Sequence, residues 1–153
     1  MFPLQRGRRL RTNESIRSLV RETSLSPSDF MFPMFIAEGE LYALGIRAVN
    51  LYVKVSENLK DNTGKEAWNK DGLMQNAIRA IKAACPEMIV MPDVALDPYS
   101  IYGHDGIIEK GDVANDATND ALVKMAVSHA QAGADFVAPS DMMDGCVLRS
   151  RDG

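Results

Sequence analysis

The sequence predicts an α/β protein built on a parallel sheet, on two observations. Apolar runs near residues 30–36, 47–53, 88–94 and 135–139 alternate with amphipathic helical stretches near 72–84 and 118–132, the order of βαβ units. The runs are almost continuously apolar, as strands are when both faces of a sheet are covered. A doubly wound sheet and a piece of a (β/α)8 barrel both satisfy this pattern. A complete barrel does not, because it needs about 200 residues or more and the chain has 153.

The elements follow in order. Arg6, Arg8, Arg9 and Arg11 form a basic run, read as a solvated arm or a contact with a partner subunit. Nucleic acid is a poor fit, since no aromatic residues interleave with the arginines. Thr12 or Asn13 can cap a short helix carrying Ile16, Leu19 and Val20. A turn at 26–29 leads into the first strand, where Pro33 removes one ladder donor. The second strand, 47–53, runs into a polar loop over 56–70, which Trp68 is expected to pack down. Asp71 is placed as the cap of a helix whose apolar face is Leu73, Met74, Ala77, Ile78 and Ile81. That helix stops before Pro86. The third strand is 88–94, followed by a long loop to Ala114. The next helix carries Leu122, Val123, Ala126, Val127 and Ala130, with Gly133 as its C-terminal cap. The fourth strand is 135–139, and the chain runs on through Ser140 to Gly153.

One join is too short. A parallel crossover usually takes a dozen or more residues, because the chain must return along the sheet. Only Ala37 to Ile46 separate the first two strands. Either these strands are not parallel neighbours, or a helix has been lost.

Bulk properties narrow the function. Net charge is −4, which argues against a general nucleic-acid binder. No stretch approaches the roughly 18 consecutive apolar residues that span a membrane. The opening residues lack the apolar core of a secretory signal, and early Glu14 and Glu22 do not suit a transit peptide. Cys85 and Cys146 have no metal or disulfide spacing. A cytoplasmic setting is expected.

Reactive residues of parallel α/β folds gather at the C-terminal ends of strands. After the third strand stand Asp93, Asp97, His104 and Asp105. Such carboxylates bind a hard cation, orient a substrate amine, or act as acid and base; equally, Asp97-Pro98 can start a turn and Asp105-Gly106 close one. After the fourth strand stand Ser140, Asp141 and Asp144, which also suit capping of a following helix. No Gly-x-Ser-x-Gly elbow is present, against a hydrolase nucleophile. His129 reads as a polar or half-buried helix residue. Lys54 is the one lysine at a strand end.

The runs Asp-Val-Ala-Leu-Asp-Pro-Tyr from Asp93, Gly-His-Asp-Gly from Gly103 and Ala-Pro-Ser-Asp-Met-Met-Asp-Gly from Ala138 resemble two signatures of the porphobilinogen synthase (5-aminolevulinate dehydratase) family. Arg8-Arg-Leu-Arg, Leu19-Val-Arg-Glu-Thr, Lys60-Asp-x-x-Gly-Lys-Glu-Ala and Asp71-Gly-Leu support it in order. The chain resembles the N-terminal half of such an enzyme. This implies an N-terminal arm, residues 1–29, and about half of a (β/α)8 TIM barrel, residues 30–153. It implies condensation of two 5-aminolevulinate molecules to porphobilinogen in tetrapyrrole and heme biosynthesis, and homologous subunits joined through the arm, commonly as octamers. By resemblance Asp93, Asp97, Asp105, Ser140 and Asp141 line the substrate site.

The positions of three zinc cysteines in other members match Ala95, Asp97 and Asp105, which resembles the zinc-free, magnesium-responsive type. Thiolates select zinc, while carboxylates suit hard cations. Zinc is therefore not expected, and weak magnesium binding through Asp97 and Asp105 is. The chain also departs from the family. About thirty residues usual between Glu38-Gly39 and Leu44-Gly45 have no counterpart, at the join that is already too short. Val53 replaces a usual proline, Cys146 a usual arginine, and Leu148-Arg-Ser150 a small apolar stretch. The two Schiff-base lysines of the family have no match before Gly153, so no catalytic residue is assigned and the chain is expected to be inactive alone. The alternatives are a non-catalytic module that docks on a full-length homologous subunit, and an unrelated small α/β binder of metal or phosphate.

Overall fold

The computed structural model describes residues 26–27, 31–34, 41–103 and 106–152. The expected basic arm and the helix near Ile16 to Val20 lie outside the described residues. Four strands, β1 (Met31–Met34), β2 (Ala48–Leu51), β3 (Ile89–Val94) and β6 (Ala138–Pro139), form one sheet in the order β1-β2-β3-β6. All three pairings are parallel, with Met31 beside Ala48, Ala48 beside Ile89, and Asp93 beside Ala138. The first two strands are thus parallel neighbours, which leaves the missing helix as the account of their short join.

Helix α1 (Leu73–Ala84) joins β2 to β3, and α2 (Asn115–Ala132) joins β3 to β6. Alternation along the strands decides where they sit. Val49 and Leu51 of β2 and Val90 of β3 pack with Met74 and Ile78 of α1 and Ala132 of α2. Val94, on the same face of β3 as Val90, packs with Ala121, Leu122, Met125 and Ala126 of α2. Both helices therefore cover one face of the sheet, as in the wall of a (β/α) barrel. A doubly wound sheet carries helices on both faces.

Local details correct several expectations. Gly72, not Asp71, is the N-cap of α1, and no side chain caps it. A side chain at Gly72 would collide with Gln75 Oε1 at 2.7 Å and Asn69 O at 2.9 Å. Gln75 is buried and donates to Ala67 O at 2.8 Å and Ser128 Oγ at 2.9 Å, so it ties α1 to the 3-10 turn at Lys65–Trp68 and to α2. Trp68 packs the polar loop onto the core as expected, with Lys124 Nζ 5.5 Å from its ring. Helix α2 starts three residues before the expected 118, at Asn115, because Thr118 and Asn119 serve its first turn. Thr118 Oγ donates to Ala114 O, and Asn119 Nδ2 to Asp144 O. Gly133 ends it at φ 107, a left-handed cap that glycine adopts without a Cβ penalty. The fourth strand shrinks to two residues, since Asp135 and Phe136 spend their amides on Val90 O outside the ladder.

His129 is fully buried rather than half-buried, and neither ring nitrogen has a hydrogen-bond partner. The long loop 95–114 holds a 3-10 turn at Asp97–Tyr99 and an antiparallel hairpin, β4 (Ile108–Glu109) and β5 (Asp112–Val113). A short helix, α3 (Cys146–Asp152), follows β6. No helix among the described residues is long and apolar enough to cross a membrane.

Candidate active site

The parallel register sets the site. Pairing of Asp93 with Ala138 brings the C-terminal ends of β3 and β6 side by side. Ser140 then donates its hydroxyl to Asp93 Oδ1 at 2.7 Å, and its backbone N–H reaches Val94 O at 3.4 Å. Asp93 is buried and Ser140 exposed, so the pair forms a polar step from the sheet to solvent. Asp93 lies on the face opposite Val90 and Val94, away from the helices.

Asp141 is buried too, and its Oδ2 accepts from Leu96 N–H at 3.4 Å. It does not cap α3; it straps the exit of β6 to the exit of β3. Asp97 is exposed and opens the 3-10 turn that Pro98 continues, so its turn-forming reading holds. His104 and Asp105 lie outside the described residues. The structure therefore brings Asp93, Ser140 and Asp141 together and leaves Asp97 at the rim.

Tyr99, which sequence reasoning passed over, sits beneath this rim. Burial raises its phenol well above the ordinary value, and the carboxylates of Glu66, Asp93 and Asp97 push it further. Its hydroxyl is buried with no hydrogen-bond partner, and it stays protonated at any ordinary pH. Asn50 and Tyr52 were also passed over. Period-two alternation along β2, with Val49 and Leu51 facing the helices, was the signal that places them on the inner face.

Lysines are the next question, since covalent capture of a ketone needs a free amine. Lys60, Lys65, Lys70 and Lys82 are paired with Glu57, Asp61, Asp71 and Asp135. Lys124 lies over Trp68, and Lys110 turns the hairpin at φ 53. Only Lys54 follows a strand end without such a role. It is exposed, beside a groove of about 400 Å³ lined by Leu51, Tyr52, Val53, Leu73, Met74 and Ala77. Among the described residues no three histidine, cysteine or acidic side chains converge as metal ligands.

Known proteins decide the family. The model of the delta-aminolevulinic acid dehydratase family matches residues 4–42 and 39–153. The chain belongs to this family. It is similar to the delta-aminolevulinic acid dehydratase of Glycine max, named as chloroplastic, at 44% identity over 170 aligned positions, covering 94% of this chain and 41% of that protein. The Synechococcus elongatus enzyme is 41% identical over 182 positions, covering 99% of this chain and 55% of that one. A crystal structure of the Toxoplasma gondii enzyme, porphobilinogen synthase in complex with its product porphobilinogen, superposes with a TM-score of 0.81 at 39% identity. It is covered over 99% of this chain and 51% of that chain. The chain thus spans about two fifths to just over half of these relatives. The Synechococcus alignment is longer than the chain, so that relative holds residues with no counterpart here. The two matched segments of the family meet at residues 39–42, within the short join between β1 and β2.

Proposed function

We propose that this chain carries the N-terminal half of a porphobilinogen synthase barrel, with part of its 5-aminolevulinate site. The observation that carries this reading is the 2.7 Å hydrogen bond from Ser140 to Asp93 at adjacent strand ends in a member of this family. A buried carboxylate that accepts from a hydroxyl is an acceptor for an ammonium group. Asp93 and Ser140 hold the substrate amine, Asp141 fixes the distance between the two strand exits, Asp97 stands at the rim, and Asp105 lines the site by family resemblance. The metal type is the zinc-free one. Asp97 and Asp105 hold magnesium weakly, and Asp97 alone, the described member of that pair, does not make a site. The compartment is cytoplasmic, in keeping with two free cysteines, Cys85 and Cys146.

Turnover by this chain alone is not part of the reading, because none of its lysines but Lys54 stands at a strand end. The test is incubation with 5-aminolevulinate and borohydride, followed by mass spectrometry and a porphobilinogen assay. We expect no adduct and no product. A reduced adduct on Lys54, with turnover lost in Lys54→Ala, overturns this part.

A second reading, docking on a full-length homologous subunit as part of an oligomer, is favoured by apolar side chains left exposed on either side of β6. These are Phe136, Met142, Val147 and Leu148. Such a patch marks a contact surface, and co-purification with an intact family member tests it.

A further inference from the structure

We infer that Asn50 and Tyr52 form a second hydrogen-bonding element of the substrate mouth, with the Tyr52 hydroxyl donating to the keto oxygen of an α-amino ketone whose ammonium group lies on Asp93. This rests on the reading of Asp93 and Ser140 given above.

Placement comes from alternation and register. Val49 and Leu51 face α1, so Asn50 and Tyr52 face the other way, and a hydrogen bond from Asn50 Nδ2 to the Tyr52 hydroxyl at 3.0 Å confirms their common side. On β3, Val90 and Val94 face the helices, so Met91 and Asp93 share the face of Asn50 and Tyr52. Asn50 pairs with Met91 and Leu51 with Pro92, the last pair of the ladder, and continuing that register one residue past the strand sets Tyr52 beside Asp93. Adjacent strands are about 4.8 Å apart. The tyrosine and the aspartate are therefore neighbours on the inner face.

Hydrogen-bond direction comes from Asn50. Its amide donates to the phenol oxygen, which leaves the phenol proton for another acceptor. Asn50 Oδ1 is buried without a partner. Turning the amide around would strand two N–H donors there instead of one oxygen. The donor-to-tyrosine orientation is thus the better satisfied one. Tyr52 is 42% exposed, so its ring reaches the mouth where a ligand arrives.

Ligand chemistry follows from spacing. With an ammonium group on Asp93, a donor one strand away meets an atom only two carbons from the nitrogen. In 5-aminolevulinate that atom is the keto oxygen. The substrate carboxylate lies further along the molecule, beyond this pair.

The test is calorimetric titration of the purified chain with 5-aminolevulinate and with 5-aminopentanoate, which has the same ends and no keto group. Tyr52→Phe should weaken 5-aminolevulinate binding about three- to tenfold, the loss of one neutral hydrogen bond, and leave 5-aminopentanoate unchanged. Asn50→Ala should give a smaller loss in the same direction. Asp93→Asn should weaken both ligands. A Tyr52→Phe change that is equal for both ligands, or absent for 5-aminolevulinate, overturns the inference while the Asp93 result keeps the broader reading. No binding by the unaltered chain, or no effect of Asp93→Asn, overturns both. Matching melting curves for the Phe variant exclude misfolding, and that variant carries the test if Asn50→Ala does not fold.

Discussion

Two crossovers in this chain do the same topological job with different means. Residues 52–88 carry β2 to β3 through α1, a helix of 12 residues. Residues 35–47 carry β1 to β2, and their described part is a turn at 41–45. Both pairs of strands are parallel and in register. A crossover helix is thus not needed for strand pairing, which the backbone hydrogen bonds direct. It is needed to cover the sheet. Met74 and Ile78 of α1 are buried on Val49, Leu51 and Val90. In the first crossover Leu44 is 74% exposed, and the turn is held by Arg47, which donates to Tyr42 O at 2.7 Å and lies 3.9 Å over its ring. Tyr42 also bonds Glu87. Polar clamps here supplement a thinner apolar cover, since Leu41 and Tyr42 are only partly buried against the same cluster, and a groove beside Leu73 stays open.

The contrast can be broken most directly by truncating one side chain in each crossover. Ile78→Ala should cost about 3 kcal/mol, because a fully buried side chain loses its transfer energy and leaves a cavity. Leu44→Ala should change stability by less than about 0.5 kcal/mol, as for exposed positions. Urea unfolding measures both. Equal losses would mean that the first crossover is covered after all.

His129 lies fully buried in the layer under α2. Burial alone lowers its imidazole from 6.5 to about 4. Above pH 6.5 the ring is neutral in both folded and unfolded chains, so it contributes no pH dependence. Between 6.5 and 4 the unfolded chain takes up a proton that the folded chain refuses. Stability therefore falls with falling pH, by about 3 kcal/mol over that window, and levels off below it. His129→Leu should flatten this slope and cost little at pH 7.5, since two unsatisfied nitrogens are replaced by methyl groups. An unchanged slope in urea melts at pH 7.5 and 4.5 would assign the acid sensitivity elsewhere.

Alternation and length made the sheet and both crossover helices legible, but not the short α3. Nor were the chain's own polar bonds legible. Ser140 and Asp141 after β6 could be read as helix caps, and only the register of Asp93 with Ala138 shows Ser140 bonding back to β3 and Asp141 to the segment just beyond it. His129 looked half-buried because a single histidine in a polar-looking helix gives no sign of the stripe it shares with Met125 and Ala132. Asp71 looked like a cap from its type, but close approach of Gln75 to Gly72 took that place. The short join was legible as a defect of length. The groove lined by Leu51, Leu73 and Met74 needed coordinates.

The smallest expected effect concerns what ties the helical crossovers together. Asp135 stands between α2 and β6, and its Oδ2 receives Lys82 Nζ of α1 at 2.7 Å and Val90 N–H of β3 at 2.8 Å. Burial works to raise this carboxyl, but the bonds from Lys82 and Val90 outweigh it and hold it below its ordinary value of 3.8. A lowered carboxylate stabilises the fold above its unfolded value, and that contribution is lost as pH falls through the folded value. Both partners are partly exposed, so solvent screens the pair. Asp135→Asn should therefore cost no more than about 1 kcal/mol at pH 7, and the gap from the unaltered chain should close below pH 3.8. Measuring the gap, rather than either melt, removes the larger slope that His129 imposes on both proteins. A gap that persists in acid would locate the loss in the Val90 hydrogen bond, which an uncharged carboxyl can still accept, and not in the ion pair.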